Sequence, residues 1–259
     1  MTISENLLSS TYGSGCYRRR VILIADKHVV TAALEDDYHH FVLQLHHDGS
    51  HVTGITSDAK RFPWSTCPSA SPKLQQLIGA PLSYEVLLTQ AGLDAHTQCT
   101  HQLDLAVAAI MQAVRGGHRQ YDAVVSDAQG DRCTAALSVD GQQIIEWTLD
   151  GSTIVAPAAQ AGLNLRKINM AAMTLQDIDE IQAFGLLRRA VMIAGGRRFD
   201  FDRLVDMSIF AERMTGACFA FQPERIPLAK RAKGSIRDFT IRPEFLLQEF
   251  SSHPNKLSS

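Results

Sequence analysis

Val21-Ile22-Leu23-Ile24-Ala25-Asp26-Lys27-His28-Val29-Val30-Thr31-Ala32-Ala33-Leu34 sets two apolar, largely β-branched runs on either side of a polar triplet. Branched side chains suit a pleated surface, and a short polar break between two such runs is a hairpin signal. Phe41 to Leu45 then reads as a third strand. His47-Asp48-Gly49-Ser50 is a turn, and His51 to Ile55 a fourth strand. The chain therefore opens on an antiparallel sheet. Upstream, residues 1–16 are rich in Ser, Thr and Gly and read as a flexible arm.

Downstream the period changes. Ser71-Pro72 predicts a helix start, with Leu74, Leu77 and Ile78 on its apolar face and Gly79 closing it. A second helix is predicted from Thr100, with Leu103, Ala106, Val107, Ile110 and Val114 on one side and Gly116-Gly117 ending it. Three strand-like runs follow, Asp122 to Val125, Thr134 to Val139 and Gln143 to Leu149, with turns at Asp140-Gly141 and Asp150-Gly151. Thr174 to Ala194 is the longest predicted helix, Thr174 and Asp177 forming a capping-box analogue at its start. A short helix is expected around Leu204 to Met214, and the tail from Gln222 reads as a flap over the body. The fold class expected is α+β: an N-terminal antiparallel sheet with helices on one face, then a second β-meander with a long helix. The divisions expected are a flexible arm at 1–16, a first α+β domain at 17–117 and a second α+β region at 118–259.

The chain has 259 residues, 45% of them hydrophobic and 20% charged, which is an ordinary globular balance able to bury a core without staples. A formal net charge of −2 without a long basic stripe argues against a nucleic-acid partner. Arg18 to Arg20 and Lys230 to Lys233 are short basic runs that read as solvated edges. No stretch of about 18 apolar residues is present, so no membrane partner is expected. Met1 to Gly15 lacks an apolar leader core, which points to the cytoplasm. Five cysteines at irregular spacing read as free thiols or ligands in a reducing compartment. Nothing in the sequence fixes an oligomeric state.

Chemistry concentrates in the first half. If Phe41, Leu43 and Leu45 face the core, strand alternation puts His39, Asp37 and Glu35 on the same face. A carboxylate beside an imidazole orients and charges it, as general acid/base work requires. The alternative is a solvated strand end with an acidic run. Cys67 and Cys99 each precede a predicted helix, and helix N-termini lower thiol pKa values. Cys99-Thr100-His101 places an imidazole two residues on. Asp37, Cys67, Cys99 and His101 are the candidate ligands of a single divalent metal, should one be bound; inert buried thiols and a hydrogen-bonded histidine are the alternative. Trp64 either stacks an aromatic substrate or fills the core. Cys133 and Cys218 read as packing. The glycine pairs at 116–117 and 195–196 follow helices and are caps, not phosphate loops.

The order of elements over residues 20–114 resembles the U-type iron–sulfur scaffold (IscU/NifU-like) fold. Asp37, Cys67 and Cys99 match three positions of that family's ligand set, and Glu35 stands where the family has its first cysteine. The resemblance implies a scaffold-like pocket with a harder ligand set, or none. Tyr17-Arg18-Arg19-Arg20, Leu34-Glu35-Asp36-Asp37-Tyr38-His39, Pro63-Trp64-Ser65-Thr66-Cys67-Pro68, Cys99-Thr100-His101 and Leu187-Arg188-Arg189-Ala190 resemble a bacterial family described only as a domain of unknown function. That resemblance associates the chain with bacterial breakdown of lignin-derived aromatic dimers, in which lyases remove side-chain carbon as formaldehyde. Two functions are therefore expected to compete. One is a carbon–carbon lyase on a small hydroxylated aromatic substrate, with Asp37, Tyr38, His39, Cys99 and His101 as catalytic candidates and Trp64 and Cys67 as substrate-binding candidates. The other is a non-catalytic metal or iron–sulfur carrier.

Overall fold

The computed structural model of the protein describes residues 7–168 and 177–251. Its first hairpin pairs β1 (Cys16–Asp26) with β2 (Val29–Asp36) antiparallel, in register from Arg19↔Asp36 to Asp26↔Val29. β3 (His40–His47) and β4 (Val52–Arg61) extend the sheet on that side. On the other side β1 pairs with β5 (Gly117–Ser126), which leads through β6 (Arg132–Val139) and β7 (Gln142–Asp150) to β8 (Thr153–Ala156). The result is one eight-stranded antiparallel sheet in the order β4-β3-β2-β1-β5-β6-β7-β8. Residues 17–117 and 118–259 thus contribute to a single sheet. Their expected junction is the tight corner Gly116-Gly117, whose φ values of +76° and +71° suit glycine.

Alternation decides which face is buried. Tyr17, Val21 and Leu23 of β1, Val30, Ala32 and Leu34 of β2, Phe41, Leu43 and Leu45 of β3, and Trp147 and Leu149 of β7 all enter one core cluster. Two helices cover that face. α2 (Thr100–Arg115) lies on β1, β2 and β3; α3 (Ile178–Ala194) lies on β1, β5 and β6. Ahead of them in the chain, α1 (Val86–Thr89) is a single turn. Trp147 meets Phe184 of α3 edge-on, with ring centroids 4.8 Å apart. On the opposite face, Leu247 packs on Ile22 and Ala33, its N–H donating to Glu35 Oε2 at 2.7 Å. The expected C-terminal flap is therefore a strap across β1 and β2.

Several local expectations change. The helix expected from Ser71 is a 3-10 segment, Cys67–Leu77, with Pro72 inside it. Proline lacks the N–H and crowds the preceding turn, which disfavours α-helix there. β8 was not expected: its four residues are too short to show alternation, and Pro157 follows at once. Thr174, half of the expected capping box, lies outside the described residues. α3 instead starts after Asp177, whose side chain accepts from the Asp179 N–H at 2.8 Å. The short helix expected around Leu204 to Met214 is α4 (Ser208–Met214). The arm is tied down over its described part: Gly13 and Gly15 N–H groups donate to Asp127 Oδ2 at 3.1 and 3.0 Å.

Candidate functional site

β1 carries Tyr17 and Arg19 on the buried face, two residues apart. Across the register, Arg19 faces Asp36, the last residue of β2. The chain then turns, and the Asp36 N–H donates to the His39 carbonyl at 2.9 Å to close the β2–β3 corner. Asp36 builds this corner with its own side chain: Oδ1 accepts from the N–H groups of Tyr38 (2.7 Å) and His39 (2.8 Å). The same oxygen meets His39 Nδ1 at 3.0 Å. Oδ2 accepts from the Tyr17 hydroxyl at 2.8 Å and from Arg19 Nε and Nη2 at 3.0 and 2.6 Å. Behind the corner, Arg61 Nη2 donates to the carbonyls of Asp36 and His39 and pairs with Glu35 at 3.0 Å.

His101, in the first turn of α2, completes the group. Its ring stacks on that of His39 with centroids 3.9 Å apart and planes 27° apart. A ring nitrogen of each histidine and an Asp36 oxygen lie within 4.8 Å of one another. His101 Nε2 is buried and has no hydrogen-bond partner among the described residues.

Electrostatics sets the roles. Burial alone would raise the Asp36 pKa, but His39 and Arg19 outweigh it and hold the carboxyl well below the usual range. Asp36 is an anion that only accepts, so the His39 Nδ1 that faces it at 3.0 Å is the donor of that contact. Burial, with the nearby positive influence of His39 and Arg19, holds His101 well below the ordinary imidazole value, hence neutral. Burial, reinforced by the Asp36 charge, raises the Tyr17 phenol, which stays a donor.

The triad Asp36, His39 and His101 has the composition of a metal site, yet its donors do not fit one. Both Asp36 oxygens are already engaged by six donor atoms. The Arg19 guanidinium lies against them, where an incoming cation would be repelled. The expected ligand set of Asp37, Cys67, Cys99 and His101 does not come together as a group either; among the described residues Asp36, His39 and His101 are the cluster that does.

The other sequence candidates are placed as follows. Asp37 makes its ion pair with Arg197, Nη1 to Oδ2 at 2.6 Å, and not with His39. The strand ends at Asp36, so alternation does not carry through the corner, and Asp36 takes the orienting place expected of Asp37. Tyr38 packs among Tyr17, His39 and Phe201, its hydroxyl against Gly196. Trp64 and Cys67 belong to a second apolar cluster with Leu204, Met207 and Ala229. Cys99 caps α2, but burial pushes its thiol up to about 11 against the pull of the Gln102 and His101 amides. Burial likewise raises Cys67 well above the ordinary value. The expected thiol activation is corrected: neither sulfur gains enough from its helix start to offset desolvation.

Sequence reading missed Tyr17, Arg19 and Asp36. Arg19 is 3% exposed and no solvated edge, and Arg20 pairs with Asp122 at 2.7 Å. The available signal was alternation itself, since Tyr17, Arg19, Val21 and Leu23 must share a face.

The fold and site define an α+β protein with one helix-covered sheet and a buried carboxylate–histidine dyad braced by a tyrosine and an arginine. The chain matches no known family model and no curated protein. Among the described residues, no helix is long and apolar enough to cross a membrane.

Proposed function

We propose that the protein is a cytoplasmic acid/base enzyme in which His39 Nε2 removes a hydroxyl proton from a small aromatic substrate. One observation carries this reading: His39 Nδ1 is held by a carboxylate that Tyr17 and Arg19 fix in place. Such a partner sets the tautomer and stabilises the imidazolium formed on proton uptake. The reaction we assign is retro-aldol-like release of formaldehyde from lignin-derived aromatic dimers. His39 takes the proton of a hydroxymethyl group, and the O–H electron pair becomes the second bond of formaldehyde. The C–C pair forms a double bond to the next carbon, whose C–O bond breaks. The leaving oxygen is protonated by the imidazolium or by Tyr38, which burial keeps in its protonated form. No electrons are gained or lost overall. The choice of substrate rests on the sequence resemblance, supported by the tyrosines and phenylalanines around the dyad.

The test is formaldehyde release from hydroxylated aromatic dimers, with metal content measured on the same protein. His39→Ala should lose about 10²–10⁴-fold in rate, with circular dichroism unchanged. Full activity in that variant would refute the assignment. A wild-type protein that turns over no such dimer but carries stoichiometric metal would instead support the carrier reading.

A further inference from the structure

We infer that His101 reads a second oxygen of the substrate, so that the site selects aromatic side chains oxygenated at two positions in a 1,3 relationship. This rests on the acid/base reading above and adds to it the residue that holds the leaving oxygen.

One buried nitrogen of the site is unanswered. His101 is 9% exposed, and its Nε2 has no hydrogen-bond partner among the described residues. A buried polar atom left in that state costs about 1–3 kcal/mol, and such atoms are rare in folded chains unless something else satisfies them. The neighbours of His101 do not supply the need. Asp36 is saturated by Tyr17, Arg19, Tyr38 and His39. Asp104, one turn further along α2, is engaged by Arg189 Nε at 2.6 Å. Gln102 is turned to Ser71, which donates to its Oε1 at 2.9 Å.

The stack on His39 keeps the two rings 3.9 Å apart. A ligand oxygen bound by one histidine is therefore a few ångströms from the other. In the proposed reaction, the oxygen that loses its proton and the oxygen that leaves are joined through three carbons. A neutral imidazole suits the second of these oxygens: it forms a hydrogen bond without competing with His39 for the proton. The surrounding charges agree, since burial and the proximity of His39 and Arg19 keep His101 uncharged.

The test uses equilibrium binding and needs no turnover. 1-Phenylpropane-1,3-diol is compared with 3-phenylpropan-1-ol, which lacks the second oxygen, with the histidine ring nitrogens followed by ¹⁵N NMR. The diol should bind about tenfold tighter, the size of one hydrogen bond, and should move ring resonances of both histidines. The mono-alcohol should move those of His39. His101→Phe keeps a flat ring on His39 and removes the nitrogen; it should reduce the diol to the affinity of the mono-alcohol. Equal binding of the two alcohols by wild type, or a diol preference that survives in His101→Phe, would overturn the inference. Either result could coexist with a rate collapse in His39→Ala, so the inference can fail while the acid/base reading stands.

Discussion

Replacing Asp37 with asparagine probes a buried carboxylate that shares its cation. Asp37 is 1% exposed, and its Oδ1 has no partner among the described residues. Oδ2 accepts from Arg197 Nη1 at 2.6 Å, but the same guanidinium also serves Asp127 at 2.8 Å and Asp238 at 3.4 Å. Burial outweighs this shared cation and raises the Asp37 carboxyl from 3.8 to about 7. The folded protein therefore binds a proton between these values where the unfolded chain has lost it. Stability must fall as pH rises through that window. The shift of about three units at 1.36 kcal/mol each sets the total at about 4 kcal/mol.

Asparagine keeps an oxygen for Arg197 and cannot ionise, so this loss disappears in Asp37→Asn. His101 acts in the opposite direction over the same range. Its folded pKa is lowered, so its contribution grows as pH rises towards the ordinary imidazole value. That term is common to both proteins and cancels in their difference. Urea unfolding of wild type and variant from pH 4 to pH 8 gives the quantity required. The stability of Asp37→Asn minus that of wild type should climb by about 4 kcal/mol across the range. A flat difference would mean that Arg197 holds the carboxylate ionised throughout, and would refute the reasoning.

Arg19→Met strands the buried Asp36 anion and should cost about 3–5 kcal/mol in urea unfolding; a loss below about 1 kcal/mol would show that Tyr17 and the corner amides suffice. Native thiol labelling should reach the half-buried Cys16 and Cys133 before Cys67 and Cys99. Cys99 at about 11 against an ordinary 9.0 holds about a hundredfold less thiolate. Early labelling of Cys99 would contradict that desolvation.

The hairpins were legible because β-branched runs and polar breaks act locally. β1 to β4 follow the residues that announced them, and α2 begins at Thr100 as its apolar spacing requires. The join of the two halves was not legible. The pairing of β1 with β5 links Cys16 to Ser126 across most of the first half of the chain, and no local pattern encodes such a partner. Proline had the wrong weight at residues 67–77: Pro72 fits a first helical turn taken alone, but the segment starts five residues earlier. The site failed for a related reason. Alternation carried from Phe41 back through His39 points to Asp37, whereas the chain bends at residues 37–39 and the inward series ends at Asp36.

Asp36 and Asp37 show why charge at this corner cannot be read from residue type. Both are buried carboxylates, one residue apart, yet one is pushed far down and the other up to about 7. The difference is a ratio of cations to anions. The Arg19 guanidinium lies against Asp36, with a phenol and the Asp36 corner's own amides adding donors. Arg197 spreads one charge over Asp37, Asp127 and Asp238. Near neutral pH the first arrangement stays ionised while the second takes up or loses a proton. The dyad thus keeps its orienting anion over the range in which the neighbouring cluster changes charge. That cluster joins the arm at Gly13 and Gly15 to the C-terminal strap at Asp238 and Thr240. Proton balance there bears on how tightly the ends are held, while the carboxylate that holds His39 keeps a cation of its own and stays ionised.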